Sequence, residues 1–264
     1  MTANHKTADS RRLYPALLIA AICLGITVCE WLFAYQDPRL GITLALFLAL
    51  VIYLVTPIVK LGQPFTDAAE SLVLIPLYIL FTSSLPWFFL SQALLLPAVY
   101  SAVIALCAWH IYRKRISLRE IGFRRDKWLK HVLTGILVGA PLGVIEYFII
   151  TPAAAFPTFE IKYLLRDLFY MVVFVGIGEE VLFRGLVQRD MTNLFGGKWG
   201  LLVASLMFGV MHLTWRSIPE LVFTFLAGMI FGYLYHRSRN LTAPIIAHGV
   251  GNTILVAVMP YLIG

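Results

Sequence analysis

The chain has 264 residues, of which 60% are hydrophobic and only 13% charged, and its mean hydropathy is +0.83. Soluble domains carry about 25% charged residues, so the composition excludes an ordinary soluble protein and points to an all-α, polytopic transmembrane helix bundle. The net charge of +7 does not suggest nucleic acid as a partner here, because the Lys and Arg fall between apolar segments and orient the chain by the positive-inside rule.

Met1 to Arg12 is polar, and the apolar run Leu13–Tyr35 is too long for a signal peptide. It reads as an uncleaved first span with a cytoplasmic N-terminus, and Glu30 near its outer end can reach the interface. Asp37-Pro38 marks a tight turn before a second span over Leu40–Val59 and a polar loop over Lys60–Glu70. Ser71–Leu90, interrupted by Pro76 and Pro86, is the third span, and Leu94–Tyr112 is the fourth. The Ser91-Gln92 break between them is weak, so eight spans are the alternative to nine. Cys23, Cys29 and Cys107 lie inside apolar segments without a CxxC pair, and read as small buried apolar residues.

Arg113 to Lys130 is the one clear linker. It holds Arg113, Lys114, Arg115, Arg119, Arg124, Arg125, Lys127 and Lys130 against only Glu120 and Asp126. This is a cytoplasmic marker. The stretch is either a solvated loop or a short amphipathic helix on anionic headgroups, with Ile116, Leu118, Ile121 and Phe123 as its apolar side. Next come a span over His131–Pro152 containing Glu146, a mixed external stretch Ala153–Asp167, a span over Leu168–Val187 and a loop over Gln188–Lys198. Spans over Trp199–Leu213 and Leu221–Tyr235, a basic loop with His236, Arg237 and Arg239, and a last span over Leu241–Ile263 complete the chain. With the N-terminus inside, nine spans put every basic loop on the cytoplasmic side.

The run Gly178-Glu179-Glu180-Val181-Leu182-Phe183-Arg184-Gly185 stands inside an apolar span. Each charge at that depth costs ~2.5–3.5 kcal/mol on insertion scales, and such residues face a cavity or protein interior. Glu180 and Arg184 are four apart, share a helix face and can pair, whereas Glu179 is turned away from that pair. The spacing divides the glutamates into an orienting partner and a candidate general base. His212 follows Phe208 by one turn, and His248 and Asn252 share a face four apart. At ~1.5 Å per residue from the cytoplasmic ends, Glu179 lies about 13 Å deep, His212 about 20 Å and His248 about 10 Å. The four can meet in one cavity in the inner or middle part of the bilayer. A glutamate, two histidines and an amide suit water activation and oxyanion stabilisation.

Glu179-Glu180-x-x-x-Arg184, Phe208-x-x-x-His212 and His248-x-x-x-Asn252 resemble the three motifs of the CAAX-protease and bacteriocin-processing family, also called CPBP or Abi, which includes the Ras-converting CAAX endopeptidase. Ala227-Gly228 to Gly232 and Asn240-Leu241-Thr242-Ala243-Pro244 resemble that family too. The match covers roughly Leu168–Thr253. It implies a glutamic-type intramembrane endopeptidase in which Glu179 and His212 activate water, His248 and Asn252 bind the oxyanion, and Glu180 and Arg184 hold the site together. On this reading residues 1–112 form an N-terminal region of about four helices, 113–130 a basic cytoplasmic linker and 131–264 the catalytic core. No cofactor is implied. The expected partners are a membrane-associated or prenylated protein or peptide substrate and membrane lipid, and the expected place is a prokaryotic plasma membrane with the cavity in its cytoplasmic half.

Two other classes stay open from the residues alone. Glu179, His212 and His248 form a candidate two-His, one-carboxylate zinc site, although no HExxH occurs and Arg184 would oppose a dication. A non-enzymatic immunity or peptide-binding membrane protein is the other; a transporter fits less well, for want of paired inverted halves.

Overall fold

The computed structural model describes residues 3–84 and 92–263, with side chains over 13–81 and 94–263. Pro86, Ser91 and Gly264 lie outside the described residues. Helices account for the regular structure: α1 (Ala3–Tyr35), α2 (Pro38–Val55), α3 (Gln63–Ser84), α4 (Gln92–Lys114), the single turn α5 (Leu118–Ile121) and α6 (Trp128–Ile150). The chain is an integral membrane helix bundle. Lipid offers no partner for free backbone groups, so the apolar runs must satisfy them internally as helices. Among the described residues, seven helices are long and apolar enough to cross a bilayer: α1, α2, α3, α4, α6 and, further on, α11 (Ile218–Ser238) and the segment containing α12 (Thr242–Ala257).

The remaining two expected spans take other forms. From Ile161 the backbone stays helical to Phe195, as α7 (Ile161–Tyr170), a π segment (Met171–Gly176), α8 (Ile177–Glu180), a second π segment (Val181–Gln188) and α9 (Arg189–Phe195). Helix therefore reaches into the mixed external stretch Ala153–Asp167 and into the expected loop Gln188–Lys198, and breaks only at Gly196, whose φ of 90° suits glycine. The following helix, α10 (Gly197–Val210), has 14 residues. At ~1.5 Å per residue it falls well short of a ~30 Å hydrocarbon core. His212, expected inside a span, consequently stands just past the end of α10, in a turn leading to a 3₁₀ segment (Leu213–Trp215). Irregular backbone at such depth is tolerated where protein surrounds it.

Two further expectations are corrected. The polar stretch Lys60–Glu70 is not a loop throughout, because α3 begins at Gln63. Its acidic residues meet the basic end of α4: Lys114 Nζ lies 2.8 Å from Asp67 and 2.9 Å from Glu70, and Arg113 also pairs with Glu70. Glu30 does not reach an interface. The turn at Asp37-Pro38 folds α2 back on α1 so tightly that a Cβ on Gly41 would strike the backbone of Phe33 and Cys29, and Glu30 is 2% exposed.

The main core joins both halves of the chain. Leu72, Ile75 and Tyr78 of α3 and Val103 and Cys107 of α4 share it with Leu182, Phe183, Leu186 and Phe208. Across the bundle, α6 and α12 pack at backbone contact. A Cβ on Gly139 would run into the backbone of Ala247, and one on Gly143 into that of Gly251. Small residues allow this approach where no hydrophobic force draws helices together in lipid. The basic segments gather at one end of the bundle, where Lys114, Arg115, Arg124, Arg189 and Arg239 face one cavity.

Candidate active site

The two adjacent glutamates sit on α8, the single α turn between the π segments, and Arg184 lies on the second π segment. Such local widening of a helix is uncommon and frequent at functional sites. Arg184 Nη1 donates to Glu180 Oε1 at 2.6 Å, with 1% and 0% of the two side chains exposed. Arg184 Nη2 donates to the carbonyl of Gly228 at 3.1 Å, and its guanidinium lies 4.5 Å from the centre of the Phe208 ring. The cation is thus neutralised and partly desolvated by an aromatic face.

Glu180 does more than pair with Arg184. The same Oε1 lies 2.8 Å from His248 Nδ1. A carboxylate can only accept, so the ring donates Nδ1–H and turns Nε2 away. The imidazole stacks on Phe231, with ring centres 5.4 Å apart and planes 20° apart. Glu180 therefore links the arginine of one motif to the histidine of another.

Glu179 has a different environment. Tyr100 donates its hydroxyl to Glu179 Oε1 at 2.7 Å, and the Tyr78 hydroxyl lies 3.0 Å from that oxygen and 3.0 Å from the Tyr100 hydroxyl. Gly178 makes room for this: a Cβ there would stand 3.2 Å from the Tyr100 ring. Glu179 Oε2 is 3.8 Å from His248 Nε2, too far for a hydrogen bond. His212 Nδ1 donates to the carbonyl of Phe208 at 2.8 Å, which leaves the Nε2 lone pair as that ring's acceptor.

His212, His248 and Asn252 line one cavity of about 30 Å³, together with Glu146, Thr224 and Phe231. Such a space accommodates water. Glu179 and Glu180 stand against His248 rather than on the cavity wall. The seven motif residues, Phe208 included, are thereby gathered at and around His248. Among the described residues, no group of three His, Cys, Asp or Glu side chains has an arrangement suited to a metal ion.

Four polar residues near this point carry no motif. Tyr78 and Tyr100 are ordinary tyrosines of apolar spans, and nothing in their sequence context marks them. Glu146 gives a signal, a carboxyl at membrane depth; it lies beside Glu220. Glu220 is 0% exposed on the first turn of α11, one turn from the cavity residue Thr224. A carboxylate suits a helix N-terminus, so Glu220 reads locally as a capping-region residue and only the packing shows it near the site.

Residues 161–254 match the family model described as type II CAAX prenyl endopeptidase Rce1-like. The family resemblance read from the three motifs is therefore shown by an independent match. The Rce1-like region begins at the first residue of α7 and ends two residues after Asn252, so it contains every motif residue and leaves α1 to α6 outside. The Rce1-like family implies a protease acting on a membrane-associated protein or peptide. No curated protein and no solved structure matches the chain.

Proposed function

We propose that the protein is an intramembrane endopeptidase that hydrolyses a peptide bond of a membrane-associated protein or peptide, with water activated by Glu179 and His212. The substrate is either a prenylated, CAAX-type protein or a membrane peptide of bacterial type. The observation that carries this reading is the division of labour between the adjacent glutamates. Glu180 has its Oε1 shared between Arg184 and His248, whereas Glu179 has one oxygen held by two tyrosine hydroxyls and the other directed toward His248 without a hydrogen bond.

In this mechanism Glu179 takes a proton from water, and the His212 Nε2 lone pair orients that water against the scissile carbonyl. The new C–O bond places negative charge on the carbonyl oxygen, where the Asn252 amide and His248 Nε2–H donate. His248 then needs protons on both nitrogens, since Nδ1–H is engaged by Glu180, and the flanking carboxylates are the counter-charges of that form. Collapse breaks the C–N bond, and the proton held by Glu179 passes to the leaving amine. Glu180 and Arg184 keep His248 in place. No metal enters these steps. We place the reaction in the cytoplasmic half of a prokaryotic plasma membrane, from the basic loops.

The test is turnover of one membrane-anchored peptide by purified full-length protein, with metal content assayed on the same sample. Peptides that accumulate in membranes lacking the gene supply the substrate. Glu179→Gln keeps the shape but removes the base, and should lower turnover by about 10²–10⁴-fold in a folded protein. Unchanged turnover would remove Glu179 from the mechanism. Binding of the peptide without cleavage by the unaltered protein would favour the immunity or peptide-binding reading.

A further inference from the structure

At the basic end of the bundle four separate elements converge on a cavity of about 520 Å³. Lys114 and Arg115 come from the end of α4, Arg124 from the segment after α5, Arg189 from α9 and Arg239 from the end of α11. Glu120 is the one carboxylate on the wall, and it is already engaged: its Oε2 accepts the Ser117 backbone N–H at 2.6 Å and completes a capping box. That hydrogen bond, with a further contribution from Arg189, holds the Glu120 carboxyl below its usual range.

The cations differ in their commitments. Lys114 is paired with Asp67 and Glu70, and Arg189 with Asp190. Arg115, Arg124 and Arg239 make no ion pair among the described residues. Arg115 and Arg239 both occupy left-handed backbone conformations, with φ of 54° and 52°, at the ends of their helices. A solvated basic loop would disperse such charges to lower their mutual repulsion. Here they are brought together in a concavity, and their planar guanidinium forks match phosphate oxygens. Ile116 is an apolar part of the wall, and in the chain segments on either side of Arg124 the side chains of Leu118, Phe123 and Trp128 are 60%, 41% and 60% exposed. The expected amphipathic arrangement is modified accordingly, because Ile121 turns inward and is 0% exposed.

We propose that this cavity binds a phosphate-bearing anion at the membrane surface, with Arg115, Arg124 and Arg239 as its ligands. Ile116 on the cavity wall and the exposed apolar side chains of the flanking segments favour the headgroup of an anionic glycerophospholipid as the source; basic pockets between membrane helices bind such headgroups. The proposal is independent of the catalytic reading.

The test uses the full chain in detergent, titrated with short-chain phosphatidylglycerol or phosphatidylcholine and followed by native mass spectrometry. Inorganic phosphate is titrated separately by thermal shift. The triple variant Arg115→Gln, Arg124→Gln, Arg239→Gln should bind phosphatidylglycerol on the order of a hundredfold more weakly, at roughly fivefold per arginine. A control removes the same charge outside the cavity, as Arg119→Gln, Arg125→Gln, Lys130→Gln, and should keep the affinity of the unaltered chain. If inorganic phosphate binds and phosphatidylglycerol does not, the same site serves a free phosphate. Equal losses in the two triple variants, equal binding of both lipids, or no binding of any probe would overturn the proposal.

Discussion

The first four helices and the Rce1-like region reach the same site by opposite routes. In the Rce1-like region the candidate residues come as pairs local in sequence, Glu180 with Arg184 and His248 with Asn252, and one longer contact, Glu180 to His248 across 68 residues, joins the pairs. The contribution of the first four helices is remote, since Tyr78 and Tyr100 meet Glu179 across 101 and 79 residues of chain. Nor are those helices alike. Only 28%, 22% and 22% of the best apolar windows of α1, α2 and α4 are buried, against 67% for α3. Most residues in the apolar windows of those three are not buried in the protein, and α3 belongs to the core that also holds Leu182, Phe183 and Leu186. The boundary of the family match therefore cuts through the environment of Glu179, whose hydroxyl partners Tyr78 and Tyr100 lie outside it.

The strongest way to break this comparison is within the Rce1-like region. Arg184→Ala leaves Glu180 buried without its cation, at a cost of ~3–5 kcal/mol. The expected outcome is little folded protein and no turnover, read by yield and thermal stability in detergent. A stable, fully active variant would show that the pair organises nothing. Asn252→Ala removes one oxyanion donor and should lower turnover by ~10²–10³ with little change in substrate binding; an effect on KM alone would point to a receptor. The N-terminal helices are tested next. Tyr100→Phe deletes a hydrogen bond to a carboxylate, worth ~1.5–3 kcal/mol of stability, and should lower both the melting temperature in detergent and, by loosening Glu179, turnover. Tyr78→Phe should cost less, since its hydroxyl is shared between Tyr100 and Glu179. Full turnover in both Phe variants would reduce α3 and α4 to packing. The smallest expected effect is that of a strong zinc chelator, which should leave turnover unchanged. Loss restored by stoichiometric zinc would make His212 and His248 ligands and dissolve the distinction between the two glutamates.

Much of this was legible in the sequence. Apolar runs pointed to the helical bundle, because lipid allows a chain few other forms, and the carboxylates and histidines at membrane depth pointed to the candidate site. The boundaries were less legible where polar residues are satisfied inside the protein. Asp67 and Glu70 look like loop residues until Arg113 and Lys114 are seen beside them. Glu30 looked free to reach an interface because nothing in its sequence neighbourhood shows that the fold buries it. The second role of Glu180, holding His248, needs a contact across 68 residues, which no helical spacing encodes. Tyr78 and Tyr100 are the clearest omission, since a hydroxyl becomes informative only when its acceptor is known.

The glycine seam between α6 and α12 has a consequence for genetic screens. Gly139 and Gly143 bear no functional group, yet a side chain at either would collide with the backbone of the helix that carries His248 and Asn252. In a saturation screen scored by activity, both positions should be as intolerant as Glu179 and would be mistaken for catalytic residues. Scoring protein abundance alongside activity separates them: substitutions of Glu179 leave a silent protein in the membrane, and substitutions of the glycines leave little protein to assay.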